Sequence, residues 1–485
     1  MVATVPDTKL DWSSYHNVIN GELRATSKTR TAVNPATEEA LPPVPVSTEA
    51  DVDAAVAAAR AAFPAWSKTS WDEREALLNK LADRLVANLP EFTDILVRES
   101  GKAIATAQIE AMFSHTFLRG LAALRVPEEV VDDAKEGYKV RLRHLPLGVG
   151  AGIVPWNWPL LIGLFKIASC VIAGNVIIVK PSPFAPYAVL KVVELARGLF
   201  PPGVIQALSG GDDLGPWLTE HPGIDKISFT GSSATGKRVL ASCSRTLKRV
   251  TLELGGNDAA IVCEDADLAQ AIPKVGTLAF LFSGQICMDI KRVYVHEAIY
   301  DKFLAGLVEF VKTIKTGDPN DPDTLVGPLQ NSMQYEKVKE LFAQIEPQGW
   351  KTAVGGAPDL KSAHAKGFFM QPTVIDNPPE DSMIVQEEPF GPIVPILKWS
   401  SEEDVIARAN DSKMGLGASV WSADIARATR MAEQLEAGSV WVNTHFDLSP
   451  KVPFGGSKWS GFNRELGVDG IKGWLEPQSL WVATA

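Results

Sequence analysis

Short runs of consecutive apolar, largely β-branched residues recur along this chain with helical stretches between them, and no other feature restricts its fold as severely. Asn175-Val-Ile-Ile-Val-Lys180, Val204-Ile-Gln-Ala-Leu208, Lys226-Ile-Ser-Phe229 and Val250-Thr-Leu-Glu-Leu254 form one set. After Gly256 the pattern starts again with Asp258-Ala-Ala-Ile-Val-Cys263, Arg292-Val-Tyr-Val-His296, Ile393-Val-Pro-Ile-Leu397, Gly417-Ala-Ser-Val-Trp421 and Gly438-Ser-Val-Trp-Val-Asn443. A strand that is apolar on both faces must be covered on both, which parallel sheets built from βαβ units achieve. Two α/β domains are expected, and 485 residues with 46% hydrophobic content can fill more than one core.

Ahead of the first set, residues 51–67 carry strong helix formers with apolar recurrence at three and four positions, and Ser47 or Thr48 can cap the start. A second helical region is expected from Trp71 to about Lys102, broken near Pro90. Residues 138–145 alternate polar and apolar like an exposed strand, and the tail Ser479-Leu-Trp-Val-Ala-Thr-Ala ends in another. Strands outside either sheet predict edges paired within an oligomer. Residues 145–165 have the length of a membrane span and no charge, but Pro146, Gly148, Gly150, Gly152, Pro155, Asn157 and Pro159 fit strand, turn and helix start better. No membrane association is expected.

A net charge of −11 without a basic block argues against a nucleic-acid partner. The four cysteines, Cys170, Cys243, Cys263 and Cys287, show neither CxxC spacing nor a histidine pattern, so no metal site is expected and reduced thiols in a cytoplasmic setting fit best. The N-terminal Met-Val-Ala-Thr-Val-Pro-Asp lacks the basic and apolar regions of a secretory signal.

Chemistry concentrates in two places. Phe282-Ser-Gly-Gln-Ile-Cys-Met288 presents a thiol after a small glycine-bounded turn, and Glu253-Leu-Gly-Gly256 offers a carboxylate. Thiol and carboxylate together suggest covalent catalysis with a general base, although a lone cysteine is more often a packed small hydrophobe. Strands lead into Ile153-Val-Pro-Trp-Asn157, Val179-Lys-Pro-Ser182 and Phe229-Thr-Gly-Ser232, loops that would line one cleft at the carboxyl ends of a parallel sheet. Gly231-Ser-Ser-Ala-Thr-Gly236-Lys237 approaches a Walker A loop, but Arg238 stands where magnesium needs a hydroxyl, which argues against an ATPase or kinase. The loop is either a pyrophosphate cradle or a plain helix-capping turn.

Val154-Pro-Trp-Asn157, Phe229-Thr-Gly-Ser232, Glu253-Leu-Gly-Gly256, Gly284-Gln-Ile-Cys287, Glu387-Glu-Pro-Phe-Gly-Pro392 and Pro453-Phe-Gly-Gly-Ser-Lys458 with Ser460-Gly461, in that order, resemble the aldehyde dehydrogenase superfamily from about residue 30 to the end. The resemblance implies a Rossmann-like NAD(P)-binding domain over 1–123 and 147–255, and an α/β catalytic domain over 256–458. It also implies a β-strand oligomerisation arm from 124–146 and 459–485, within a homodimer or homotetramer. By the same resemblance Cys287 attacks an aldehyde to give a thiohemiacetal, and Asn157 with the Cys287 backbone N–H holds the oxyanion. Glu253 activates the water that hydrolyses the thioester. CoA-acylating relatives typically lack this glutamate, so a free acid is the expected product. Asn157 has an alternative reading as a cap of the helix that starts near Pro159.

For NAD or NADP the resemblance assigns Lys180 to the adenosine ribose, the loop from Gly231 and Ser232 to Gly236 to the pyrophosphate, Glu388 to the nicotinamide ribose and Phe390 to the nicotinamide. Ile153, Trp156, Ser182 and Leu254 complete that site. Two departures stand out. Lys180-Pro-Ser-Pro183 lacks the glutamate that NAD-preferring members often carry three positions after the lysine, which leaves NADP open with a slight lean to NAD. Asp289 replaces a usual small residue beside the nucleophile; facing the sulfur it raises the thiol pKa, and facing away it makes a structural hydrogen bond, the expected case. The substrate positions are Trp158, Ile162, Phe165, Ile286, Met288, Phe446, Leu448 and Phe454, an apolar set that predicts a medium-sized aliphatic or aromatic aldehyde. His445, Asp289 and Lys451 nearby keep an amino-aldehyde or semialdehyde as the second reading. A thiol esterase without redox turnover, and a binding protein that retains only the fold, are the rivals of other classes.

Overall fold

The computed structural model describes residues 10–131, 135–356 and 366–484. The two sets of apolar runs form two separate sheets, as their spacing predicts. In the first, Ile205–Ala207, Val176–Lys180, Val149–Ile153, Lys226–Thr230 and Arg249–Glu253 lie side by side in that order, all parallel. The chain starts at Val149–Ile153, builds outward on one side, then crosses back to build on the other. The crevice of such a sheet opens at this reversal, beyond the carboxyl ends of its strands.

The second sheet has the order Lys351–Val354, Thr373–Asp376, Ile393–Trp399, Ile290–His296, Asp258–Val262, Gly417–Trp421 and Ser439–Val442. Only Lys351–Val354 runs antiparallel within it. Period-2 alternation places Ala259 and Ile261 in one buried cluster and Ala260 and Val262 in another, one on each face. That double burial is why these runs are apolar throughout.

The helices follow their local signals. Glu49–Trp66 is capped by Thr48, with Asp51 closing a capping box, whereas Ser47 bonds the Ser209 carbonyl instead. The second helical region divides into Trp71–Val86 and Leu89–Ser100, with Pro90 in the first turn of the latter, where its missing N–H costs nothing. Residues 145–165 resolve into strand, turn and helix start, and no helix among the described residues is long and apolar enough to cross a membrane.

The two strands expected at oligomer edges pair with each other. Tyr138–Pro146 and Leu475–Ala483 run antiparallel over nine residues, from Tyr138 opposite Ala483 to Pro146 opposite Leu475, with Glu129–Val131 on the outer side. Residues 459–474, grouped with this arm on sequence, lie elsewhere at their start. Gly461–Phe462 extends the first sheet against Leu252 and Glu253.

Candidate active site

The two sheets meet through four residues, 254–257, that link Glu253 at the end of the last parallel strand of the first sheet to Asp258 at the start of an inner strand of the second. Each of the four touches a different part of the site. Leu254 packs on Gly236, where a methyl would stand 2.6 Å from its side chain. A methyl on Gly255 would come within 2.3 Å of Glu388 Oε2, and one on Gly256 within 2.3 Å of the Cys287 carbonyl oxygen. Asn257 donates through Nδ2 to the Val385 carbonyl at 2.9 Å. The paired glycines therefore let the thiol's backbone and Glu388 approach this crossing.

Cys287 follows a tight turn in which Phe282 and Ser283 adopt φ of 48° and 59°, values that cost ordinary residues about 1–3 kcal/mol each. Side-chain hydrogen bonds hold the turn: Ser283 Oγ donates to the Gly327 carbonyl at 2.8 Å, Gln285 Nε2 to the Phe282 carbonyl at 3.1 Å, and Gln285 Oε1 accepts the Gln330 N–H at 2.9 Å. The Cys287 side chain is half-buried, whereas Cys170, Cys243 and Cys263 are buried. Burial pushes the Cys287 thiol well up, Lys291 opposes it, and Glu388, Asp258 and Glu253 add to it.

Asn157 sits in the loop before the Pro159–Ile172 helix, with Trp158 in the capping position. Its amide does not cap that helix. Nδ2 crosses to the Gln285 carbonyl at 3.0 Å, which ties this loop to the thiol's loop and leaves a second amide hydrogen. The helix start is satisfied by Glu110, whose Oε1 accepts the Leu160 and Leu161 N–H groups at 3.0 and 3.2 Å. Glu110 in turn pairs with Lys102, and Lys102 Nζ donates to the Asn157 carbonyl at 2.8 Å. Lys102 also lies between the Trp158 and Phe282 rings, 4.7 and 4.6 Å from their centroids.

Glu253 is 4% exposed, and neither carboxylate oxygen has a hydrogen-bond partner among the described residues. A buried carboxylate without donors favours its proton, and burial followed by the charge of Glu465 raises its pKa well above the ordinary range. Glu465 is held by Lys166 Nζ at 2.5 Å and Ser228 Oγ at 2.8 Å. Lys166 is the sole charge in the otherwise apolar Pro159–Ile172 helix, a signal visible in the sequence and not used there. Lys102, Glu110 and Lys291 carry no comparable signal in sequence, and Gln285, although inside the thiol's motif, gives no sign there that its amide braces the turn.

Ile153, Lys180, Gly231 and Leu254 stand at or just beyond the carboxyl ends of four adjacent parallel strands, with Trp156 and Ser182 in the loops that follow. Ser232 caps the Ser233–Cys243 helix by accepting the Thr235 N–H, so the loop is a capping turn and a helix N-terminus together. Phe390, at φ 48°, meets Trp156 edge-on with centroids 5.3 Å apart. Glu388 accepts the Gly256 N–H at 3.0 Å. Burial brings Lys180 down to about 8, with Asp212 opposing that shift and Arg30 adding to it. A carboxylate thus acts on this lysine from residue 212 where residue 183 is proline. A buried lysine, an open helix N-terminus and a carboxylate along one strand-end crevice fit the ribose and pyrophosphate groups of a dinucleotide.

Asp289 points into the protein, buried, where Oδ2 accepts the Ile286 N–H at 3.2 Å and burial raises its pKa. His445 Nε2 lies 2.9 Å from the Met288 carbonyl and 3.6 Å from Asp258 Oδ2, and Lys451 is exposed. Trp158, Phe165, Ile286, Met288 and Phe454 are buried in one apolar cluster, and Ile162, Phe446, Leu448 and Cys287 pack against it half-buried. That cluster is the core that runs through the whole first domain, from Leu10 to Leu475, and the Trp158 ring within it lies 6.2 Å from that of Phe446.

A model of the aldehyde dehydrogenase family matches residues 23–480. The chain is 41% identical over 473 residues to the putative aldehyde dehydrogenase FUS7 of Gibberella moniliformis, covering 98% of this chain and 100% of the relative. It is 40% identical over the same length, with the same coverage, to the aldehyde dehydrogenase LUC3 of a Fusarium species. Among solved structures, betaine aldehyde dehydrogenase of Staphylococcus aureus in complex with NAD+ superposes with a TM-score of 0.94 at 32% identity, covering 97% of this chain and 95% of that one.

Proposed function

The chain belongs to the aldehyde dehydrogenase family and is an NAD(P)-dependent aldehyde dehydrogenase; from that premise we propose that it oxidises medium-sized aliphatic or aromatic aldehydes to free carboxylic acids through a Cys287 thioester. Cys287 Sγ attacks the aldehyde carbon. The oxyanion forms beside the free amide hydrogen of Asn157 and the Cys287 N–H, donors already fixed by the bond to Gln285 and by the 284–287 turn. Lys180, the 231–236 loop and Glu388 would hold NAD(P)+, which would accept the hydride that leaves the thiohemiacetal carbon as the oxyanion collapses to the thioester. Glu253 then takes a proton from the water that releases the acid. Burial raises the Glu253 pKa, which makes the ionised carboxylate a stronger base than an exposed one.

The observation that carries the substrate class is the make-up of the eight substrate positions, every one apolar or aromatic and none charged. The charged residues that would favour an amino-aldehyde are engaged elsewhere, Asp289 with the Ile286 N–H and His445 with the Met288 carbonyl. A cationic aldehyde of the kind named for the Staphylococcus relative remains the second reading, because the Trp158 and Phe446 rings, 6.2 Å apart, offer faces to a cation. The Staphylococcus relative is solved in complex with NAD+, which supports the lean to NAD.

Steady-state rates over a panel of neutral and cationic aldehydes with each cofactor test this reading. The highest kcat/KM is expected for neutral aliphatic or aromatic aldehydes with NAD+, and a consistent preference for cationic aldehydes refutes the substrate class. In the same assay Glu253→Gln lowers kcat by about 10²- to 10⁴-fold, the range of a general base, and leaves acylated Cys287 detectable by mass spectrometry.

A further inference from the structure

Behind the nucleophile lies a cation that the reaction outlined above does not use. Lys291 is 3% exposed, and its ammonium donates to the carbonyls of Ile286 and Cys287, each at 2.7 Å, and of Asp289 at 3.2 Å. Glu388 Oε1 stands 3.8 Å away. Carbonyls satisfy its donors but not its charge, so that charge acts on the acids around it.

Those acids come from several elements. Cys287 and Asp289 lead into the Ile290–His296 strand that carries the lysine, and the carboxylates that act on the thiol come from other elements: Asp258 begins the adjacent strand, Glu253 ends the strand before the crossing, and Glu388 follows the Met383–Gln386 helix. Lys337 acts on Glu388 from the Ser332–Phe342 helix and is exposed, and His445 faces Asp258. Burial raises Cys287, Asp289 and Glu388, and for all three Lys291 is the largest charge that opposes the rise.

We propose that Lys291 is a positioning residue for the nucleophile: its ammonium clamps the Ile286 and Cys287 carbonyls, and its charge is what lets the Cys287 thiolate form in a nest of buried acids. The proposal rests on Cys287 being the nucleophile. It makes thiol reactivity a property of the cofactor-free protein, set from behind the sulfur, before any ligand arrives.

The test is the rate at which iodoacetamide alkylates Cys287 as a function of pH in the cofactor-free enzyme, followed by mass spectrometry. Lys291→Gln keeps a hydrogen-bond donor for the carbonyls and removes the charge. Its alkylation midpoint is expected to move up by about one pH unit or more, so that below the midpoint it reacts about ten-fold more slowly than the unmodified enzyme. Lys291→Arg keeps the charge and is expected to keep the midpoint. A wild-type midpoint in a folded Lys291→Gln protein overturns the charge role, whatever its turnover. Should the neutral variant fail to fold, Lys291→Arg still decides, since an upward move of a unit with charge intact overturns the proposal. Failure of the nucleophile assignment shows separately, as a Cys287→Ser protein that still reduces NAD(P)+.

Discussion

Replacing Lys102 with methionine should cost far more than removing a typical surface charge. Lys102 and Glu110 are both fully buried, and their pair joins the start of the Pro159–Ile172 helix to the Asn157 loop. Methionine restores most of the apolar stem between the Trp158 and Phe282 rings, so little cavity forms. What remains is a Glu110 carboxylate stranded in the interior with only the Leu160 and Leu161 N–H groups. Breaking one side of a buried pair costs about 3–5 kcal/mol, against about 0–1 kcal/mol for an exposed one. That is a large share of the roughly 5–15 kcal/mol that holds an ordinary domain together.

Urea unfolding followed by tryptophan fluorescence reads this directly, because Trp158 lies against the lysine. The Lys102→Met transition should shift to clearly lower urea. Adding Glu110→Gln, which keeps an acceptor for both N–H groups without the charge, should recover about 1–3 kcal/mol of the loss, the size of coupling seen between contacting residues. The deficit should also shrink on acidification. Burial raises the Glu110 pKa, so the folded state holds the proton more tightly than the unfolded one, and stability falls as pH rises through that window. A Lys102→Met protein within about 1 kcal/mol of the parent at neutral pH, or a double variant that loses the sum of both single effects, refutes the reasoning.

Asn157→Ala removes one oxyanion donor and the tie to Gln285, and should lower kcat by about 10²- to 10³-fold with KM little changed, as measured with saturating cofactor. Glu99, which accepts the Tyr187 and Ala188 N–H groups, is raised by burial from 4.5 to about 8. Between those values the unfolded chain has released a proton that the folded one keeps, so Glu99 makes stability fall as pH rises. Glu99→Gln should therefore lose less thermal stability than the parent between pH 6 and pH 8 in calorimetry, and an equal loss in both would argue against the shift.

The sheets were legible because their strands are buried on both faces and so leave unbroken apolar runs, and the helix starts because Thr48 and Pro90 are local signals. The arm was legible as two strands but not as a pair, since the alternation in 138–145 says nothing about which strand, 330 residues on, lies opposite. At the site, residues beside motif glycines could be found from the motifs that carry them. Lys102, Glu110 and Lys291 could not, because their importance comes from burial and from contacts across the fold. Lys291 reads in sequence as one more basic residue before a strand, and only the structure turns its ammonium onto the Cys287 carbonyl. Pro183 is legible as a missing carboxylate, but that Asp212 and Arg30 both act on Lys180 is not, because no spacing rule points to either.

The four-residue crossing between the sheets bears on how a chain like this can change over time. Elsewhere loops can lengthen at small entropic cost, which grows only slowly with their length. At 254–257 every residue is already spoken for, by Gly236, Glu388, the Cys287 carbonyl and the Val385 carbonyl. An insertion here would part the general base from the nucleophile's support in one event. On the proposed reading, new substrate ranges would be reached through side chains such as Trp158, Ile162 and Phe446, while this short link stays fixed in length.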